Sequence, residues 1–123
     1  MAAELSREIV RLHARQFGRG PTKAKSFVYD DFALCVLEDV LTRGEKTLVA
    51  AGKTEQVNAT RRAFQEVLHD EFVAIAEKTT GRKVRAFLSQ IDVDREVAAE
   101  LFVFDPDAVA DGEHGETPID DDE

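Results

Sequence analysis

The sequence predicts an α+β domain: a four-stranded antiparallel sheet made of two β-hairpins, packed against one long helix and two shorter ones, in the order α-β-β-α-α-β-β. Three observations lead there. Leu5, Ile9, Leu12 and Phe17 recur at helical spacing. Residues 23–29 and 32–37, and later 84–88 and 97–103, have the β-branched, aromatic or alternating character of paired strands. Residues 54–80 contain neither Pro nor Gly.

Each element has its own signals. The first helix is short and amphipathic, and Gly18 can end it in the left-handed conformation. The first hairpin turns at Asp30-Asp31, whose carboxylates can bond to the local backbone. Thr42 and Glu45 stand at capping-box spacing and open a helix over 46–51 that Gly52 closes, with Gly44 weakening it slightly. Over 54–80, Val57, Phe64, Leu68, Phe72 and Ile75 recur at three, four or seven. This predicts one continuous helix on the order of 40 Å long, at about 1.5 Å per residue, as the spine for both hairpins. Gly81 stops it.

In the second hairpin Val84, Ala86 and Leu88 alternate with Lys83, Arg85 and Ser89, while Val97, Ala99, Leu101 and Val103 alternate with Glu96, Ala98 and Glu100. One face reads as apolar and the other as charged. Lys83 and Arg85 are then expected across from Glu96 and Glu100, with Asp92-Val-Asp94 as the connecting loop. The core is expected to centre on Phe64, Leu68, Phe72 and Ile75, against Leu34, Val36, Leu88 and Leu101. The two halves also echo one another, since Phe17-Gly-Arg-Gly-Pro-Thr-Lys-Ala-Lys25 parallels Thr80-Gly-Arg-Lys-Val-Arg85.

A chain of 123 residues with 43% hydrophobic side chains suits one core. The expected organisation is a domain over 1–104 and a disordered acidic tail over 105–123. That tail holds nine of the 25 acids and no Lys or Arg, leaving 16 acids against 16 bases in the domain. The single cysteine, Cys35, lies in an apolar run and reads as a buried hydrophobe in a reducing compartment. No stretch reaches the roughly 18 apolar residues of a membrane span, and the N-terminus lacks a signal-peptide core, so the expected location is the cytoplasm, at most peripheral to a membrane.

Chemistry-bearing patterns are few. His69-Asp70-Glu71 cannot converge on one metal, because consecutive helical residues point about 100° apart. His13 and His114 have no second ligand at helical or hairpin spacing. The Gly18–Lys23 segment follows a helix and lacks the spacing of a phosphate-binding loop. No catalytic residue, metal ligand or cofactor is therefore expected. One charged stretch stands out: Arg7, Arg11, Arg15, Arg19, Lys23 and Lys25 accompany a single acid, Glu8. It reads as a solvated surface or as a docking surface for an acidic protein, a nucleic acid or an anionic membrane.

The motifs Phe17–Lys25, Val40-Leu-Thr-Arg-Gly-Glu-Lys-Thr-Leu48, Arg61-Arg-Ala-Phe-Gln65 and Thr80-Gly-Arg-Lys-Val-Arg-Ala-Phe-Leu88 resemble, in order, those of the MpsC-like family. These small domains are named after a component of a bacterial sodium-translocating, membrane-potential-generating system. The resemblance covers about residues 5–104. It implies an accessory component of membrane systems for ion movement or inorganic-carbon uptake, and brings no catalytic or ligand-binding residues with it. Ser89-Gln90-Ile91-Asp92 departs from the pattern, which leads one to expect a more polar, histidine-bearing loop there.

The expected function is that of a non-enzymatic accessory or regulatory protein working through contacts with a protein partner such as a membrane transport complex. Homo-oligomers remain open. The alternative is a nucleic-acid-binding module using the basic stretch, disfavoured by a neutral domain and a tail of the wrong sign. The tail serves either solubility or as a tethered competitor for the basic stretch. In the second case a chain ending at Phe104 binds an anionic surface more tightly than the full chain at low salt, and the gap closes near physiological salt, where the screening length is about 8 Å. Equal affinities at low salt, measured side by side, would remove the tail as competitor.

Overall fold

The computed structural model describes residues 1–109, as α1 (Ala2–Phe17), β1 (Lys23–Val28), β2 (Phe32–Glu38), α2 (Arg43–Ala50), α3 (Thr54–Val67), α4 (His69–Thr80), β3 (Arg82–Asp92) and β4 (Val97–Val109). The strands form one antiparallel sheet in the order β1-β2-β4-β3. Two hairpins meet through their second strands. The α+β class is as the sequence predicts, with one helix more.

The predicted punctuation is in place. Gly18 (φ 86°) and Gly81 (φ 72°) end α1 and α4 in the left-handed conformation and donate their N–H groups to Ala14 O and Glu77 O. A residue with a Cβ would lose about 1–2 kcal/mol there. Thr42 and Glu45 form the capping box reciprocally, with bonds of 3.1 and 2.8 Å, and start α2 at Arg43, three residues before the expected 46. Tyr29 N–H donates to Phe32 O at 2.8 Å and closes the first hairpin around Asp30-Asp31. The echo between the halves is architectural: α1-β1-β2 and α4-β3-β4 are related by an approximate two-fold axis through the middle of the β2–β4 ladder. Leu5 and Leu68, Ile9 and Phe72, Gly18 and Gly81 take equivalent places.

Three expectations are corrected. The single helix over 54–80 is two helices, parted at Leu68, whose φ of −93° and ψ of 6° leave the helical region. Val57 and Arg61, three and two turns before the break, face the core as Leu68 and Phe72 do at and after it. No Gly or Pro marks it, because Leu68 N–H still reaches Phe64 O at 2.8 Å and Leu68 O still accepts from Phe72 N–H at 3.0 Å.

The second correction concerns which sheet face meets the helices. In β2 the buried residues are Ala33, Cys35 and Leu37, and in β4 they are Ala98, Glu100, Phe102 and Phe104. Both alternate sets of each strand are largely apolar, so alternation alone does not choose between them. Ring volume does. Phe72, Phe87 and Phe102 stack at 5.0 and 4.9 Å and fix the inner face. In β3 an irregular register between Val84 and Ala86 lets both Val84 and Phe87 pack on the core. Leu68 and Phe72 are core residues as expected, whereas Phe64 and Ile75 are only partly buried. Leu34, Val36, Leu88 and Leu101 lie on the outer face instead, and Leu88 is 56% exposed.

The third correction follows from the second. The expected pairing of Lys83 and Arg85 with Glu96 and Glu100 does not form. Glu100 is buried opposite Cys35 and Ser89, and Glu96 sits in the turn at φ 56°, 4.0 Å from Lys46. The connecting turn is 93–96, and Asp92 is the last residue of β3. Beyond the expected boundary at Phe104, β4 continues to Val109, while the rest of the expected tail, 110–123, lies outside the described residues.

Burial fixes an order of stability. Phe102→Ala is expected to lower unfolding free energy by about 3–5 kcal/mol, and Leu88→Ala by less than about 1 kcal/mol. Urea unfolding of both variants measures this, and the reverse order would show that the inner and outer faces are exchanged.

Candidate functional site

A row of polar side chains crosses the inner face of the sheet. Ser26 of β1 faces Cys35 of β2, which faces Glu100 of β4, which faces Ser89 of β3. The approximate two-fold axis passes through the middle of this row, and α1 packs on the β1 side of it. Ser6 and Ser26 bond through their hydroxyls at 2.7 Å. His13, one turn before the end of α1, brings its Nε2 to 3.8 Å from Glu100 Oε2, beyond hydrogen-bond reach. Both residues are at least 95% buried. His13 Nε2, Glu100 Oε1 and Ser89 Oγ have no hydrogen-bond partner among the described residues.

Cys35 belongs to this row but is not armed. Burial pushes its thiol up to about 11, with the charge of Glu100 adding to the rise against the hydroxyls of Ser26 and Ser6. At neutral pH it stays protonated and unreactive.

Next to His13 and Glu100 is a cleft that gives about 20 Å³ to the centre of a water molecule, lined also by Phe17, Arg61, Phe64 and Phe72. That volume suits about one water. Arg61 of α3 closes one side. It is 3% exposed, and its guanidinium lies 3.9 Å from the centre of the Phe17 ring. Its Nε and Nη2 donate to both carboxylate oxygens of Glu45 at 2.7 Å, and Nη2 also donates to Val40 O at 2.7 Å. Glu45 thus caps α2 and neutralises Arg61 at once. Burial pushes the Glu45 carboxyl up, but the bonds from Arg61 and from Thr42 outweigh it, and the group ends below the ordinary carboxylate range.

The six cations singled out in the sequence fall into three places. Arg7, Arg11 and Arg15 lie on the exposed side of α1, opposite buried Leu5, Ile9 and Leu12; Arg11 pairs with Glu8 at 2.6 Å and Arg15 with Glu71 at 3.6 Å. Arg19 is a structural clamp. Its guanidinium bonds Asp39 Oδ2 at 2.9 Å, Asp39 O at 2.9 Å and Leu41 O at 2.6 Å, tying the α1–β1 connection to the β2–α2 connection. Lys23 and Lys25 stand on the outer face of β1, with Lys25 Nζ 5.6 Å from the centre of the Phe27 ring. The fold brings the three helical arginines together and separates the other three from them.

Sequence reasoning named His13 only to set it aside as a metal ligand, expected Glu100 on the charged face, and gave Arg61 no role of its own. A signal for Glu100 existed: it shares its parity with Phe102 and Phe104, the two bulkiest residues of β4. Nothing local identifies His13 or Arg61, whose partners come from other elements. Among the described residues no three or more His, Cys, Asp or Glu side chains are grouped to hold a metal ion.

A family model described as "Na+-translocating membrane potential-generating system (MpsC)" matches residues 1–106. Neither the comparison with curated proteins nor that with solved structures returns a match.

The Arg61–Glu45 pair has a testable energetics. Arg61→Leu leaves a mostly buried carboxylate and the Val40 carbonyl without their donor, and is expected to cost about 3–5 kcal/mol. Because the folded Glu45 carboxyl titrates below its unfolded value, its contribution is complete above the ordinary 4.5 and is lost as pH falls through the lower, folded value. The stability gap between the natural chain and Glu45→Gln, measured by denaturant unfolding at pH 7 and pH 3, should therefore narrow at pH 3. A gap that widens on acidification would contradict this.

Proposed function

The chain belongs to the MpsC family, and from that membership we propose that it is a non-catalytic accessory component of a sodium-translocating, membrane-potential-generating system, acting through protein contacts. The family match spans nearly all of the described fold, and it is the observation that carries the reading. Two features of the site support it. The cleft beside His13 and Glu100 has room for about one water, and the one thiol near it is kept protonated, so the buried polar row favours a structural part over turnover of a substrate. On the far side of α1, Arg7, Arg11 and Arg15 stand exposed at successive turns, with Arg11 and Arg15 also paired to Glu8 and Glu71.

No helix among the described residues is long and apolar enough to cross a membrane. Contact with a membrane system is accordingly assigned to the surface, and the α1 arginines are the basic groups placed for it. The tagged chain is expected to recover a membrane complex from native membranes equally well with and without nuclease. Reversing charge at Arg7, Arg11 and Arg15 to Glu should reduce that recovery on the order of tenfold. Recovery that disappears with nuclease would transfer the basic face to a nucleic acid, and recovery indifferent to the triple reversal would remove α1 from the contact.

A further inference from the structure

The sheet has a second apolar face. All four helices lie on the side of the polar row, and the opposite side carries Phe27, Leu34, Leu101 and Leu88 in one register row across β1, β2, β4 and β3. The next row on that face is Lys25, Val36, Ala99 and Gln90, and the row beyond it is Lys23, Glu38, Val97 and Asp92. Phe27, Leu88 and Val97 are 36, 56 and 37% exposed. An alternating strand in a sheet with one solvated face would show polar residues at these places.

We propose that this face is covered by the same face of a second copy of the chain, giving a two-fold sheet-on-sheet dimer. This goes beyond the accessory role proposed above and uses a different surface. Area is the first argument. Strands of 6 to 13 residues, at about 3.4 Å per residue and about 4.8 Å apart, make a face on the order of 600 Å². Two copies bury on the order of 1,200 Å², the lower bound of a standard specific interface.

The second argument is charge. At one end of the face the edge strands carry opposite charges, Lys23 and Lys25 on β1 and Asp92 on β3, while Lys83 and Arg85 of β3 lie at the other end, beyond the reach of β1. Place the two-fold axis between the sheets and parallel to the strands. Then β1 lies over the partner's β3 and β2 over the partner's β4, row on row. Phe27 meets Leu88 of the partner subunit, Leu34 meets Leu101 of the partner subunit, and Lys23 meets Asp92 of the partner subunit, each pair formed twice. Asp92 also accepts from the backbone and guanidinium of Arg95 at 3.1 and 3.4 Å, and its side chain is 47% exposed. An axis across the strands would lay β1 on the partner's β1 and β3 on the partner's β3, so that Lys23 and Asp92 would not meet. The parallel axis is the complementary one, and aligned sheets packed at about −30° accommodate it.

Residues 110–123 are a poorer occupant, since Ile119 is their only large apolar side chain.

Sedimentation equilibrium on the purified full chain, without any membrane fraction, tests the dimer. A concentration-dependent dimer below about 100 µM is expected. Leu88→Glu, which places its charge in solvent in the monomer, should raise the dissociation constant at least tenfold. Lys23→Asp and Asp92→Lys should each raise it several-fold, and the double variant Lys23→Asp/Asp92→Lys should restore it. A full chain that is monomeric throughout this range, a dimer indifferent to Leu88→Glu, or a double variant as weak as the singles would each overturn the proposal. So would a monomeric full chain whose truncation at Val109 dimerises, because the face would then belong to residues 110–123. Loss of membrane recovery through the α1 arginines leaves every one of these readings unchanged, so the two proposals fail separately.

Discussion

Without the ladder between β2 and β4 the molecule would be two hairpins, each with one helix and each too small to keep its apolar face dry. The ladder runs from Phe32 opposite Val103 to Glu38 opposite Val97, with Cys35 facing Glu100 at its middle. That register decides which side of both central strands meets α1 and α4. A slip by one residue would exchange Ala33, Cys35 and Leu37 for Leu34 and Val36, and would carry Glu100 out of the core. The native register therefore holds a buried carboxylate that the neighbouring one would release. The stack of Phe72, Phe87 and Phe102 is the compensating term, since three rings fit between helix and sheet only in this parity.

The charged pair on the other wall of the cleft has the opposite logic. Arg61 and Glu45 bury their charges but satisfy them with paired bonds, a backbone carbonyl and a helix cap. Such a pair is weak evidence for net stability, yet removing either member is expensive. It does fix geometry. The short helix α2 has no fully buried residue of its own, and it is held by Glu45 from below and by Lys46, which reaches Asp39 at 3.6 Å and Glu96 at 4.0 Å. Arg19 ties the same Asp39 to the end of α1, and its guanidinium keeps that carboxyl below the ordinary range. A network of ionic contacts thus joins the α1–β1, β2–α2 and β3–β4 connections to α2.

Elements with local chemistry were legible in the sequence. Gly18, Gly81, the Thr42–Glu45 box and the Asp30-Asp31 turn each act over four residues or fewer, and each is where the residues say. The faces of β2 and β4 were not, because Val, Leu, Ala and Phe occupy both parities and only contact with the helices separates them. In β3 the extra residue near Arg85 reverses the alternation partway along, which a fixed period of two cannot follow. The bend at Leu68 was hidden as well. It satisfies its hydrogen bonds across Leu68, so no breaker residue is needed to mark it. The site was least legible of all: His13, Arg61 and Glu100 are separated by the whole length of the domain and meet only after two hairpins and four helices have assembled.

The position of Tyr29 has an optical consequence. It is the chain's one tyrosine and there is no tryptophan, so near-ultraviolet absorption beyond the phenylalanine bands, and intrinsic emission near 300 nm, come from a single ring. That ring is 54% exposed just beyond the end of β1, parallel to Phe27 within 3° at 6.5 Å and 5.0 Å from Phe32. The interior of the protein is consequently silent in this window. What an unlabelled sample reports by tyrosine emission is the environment at the edge of the outer sheet face, free of any contribution from the core.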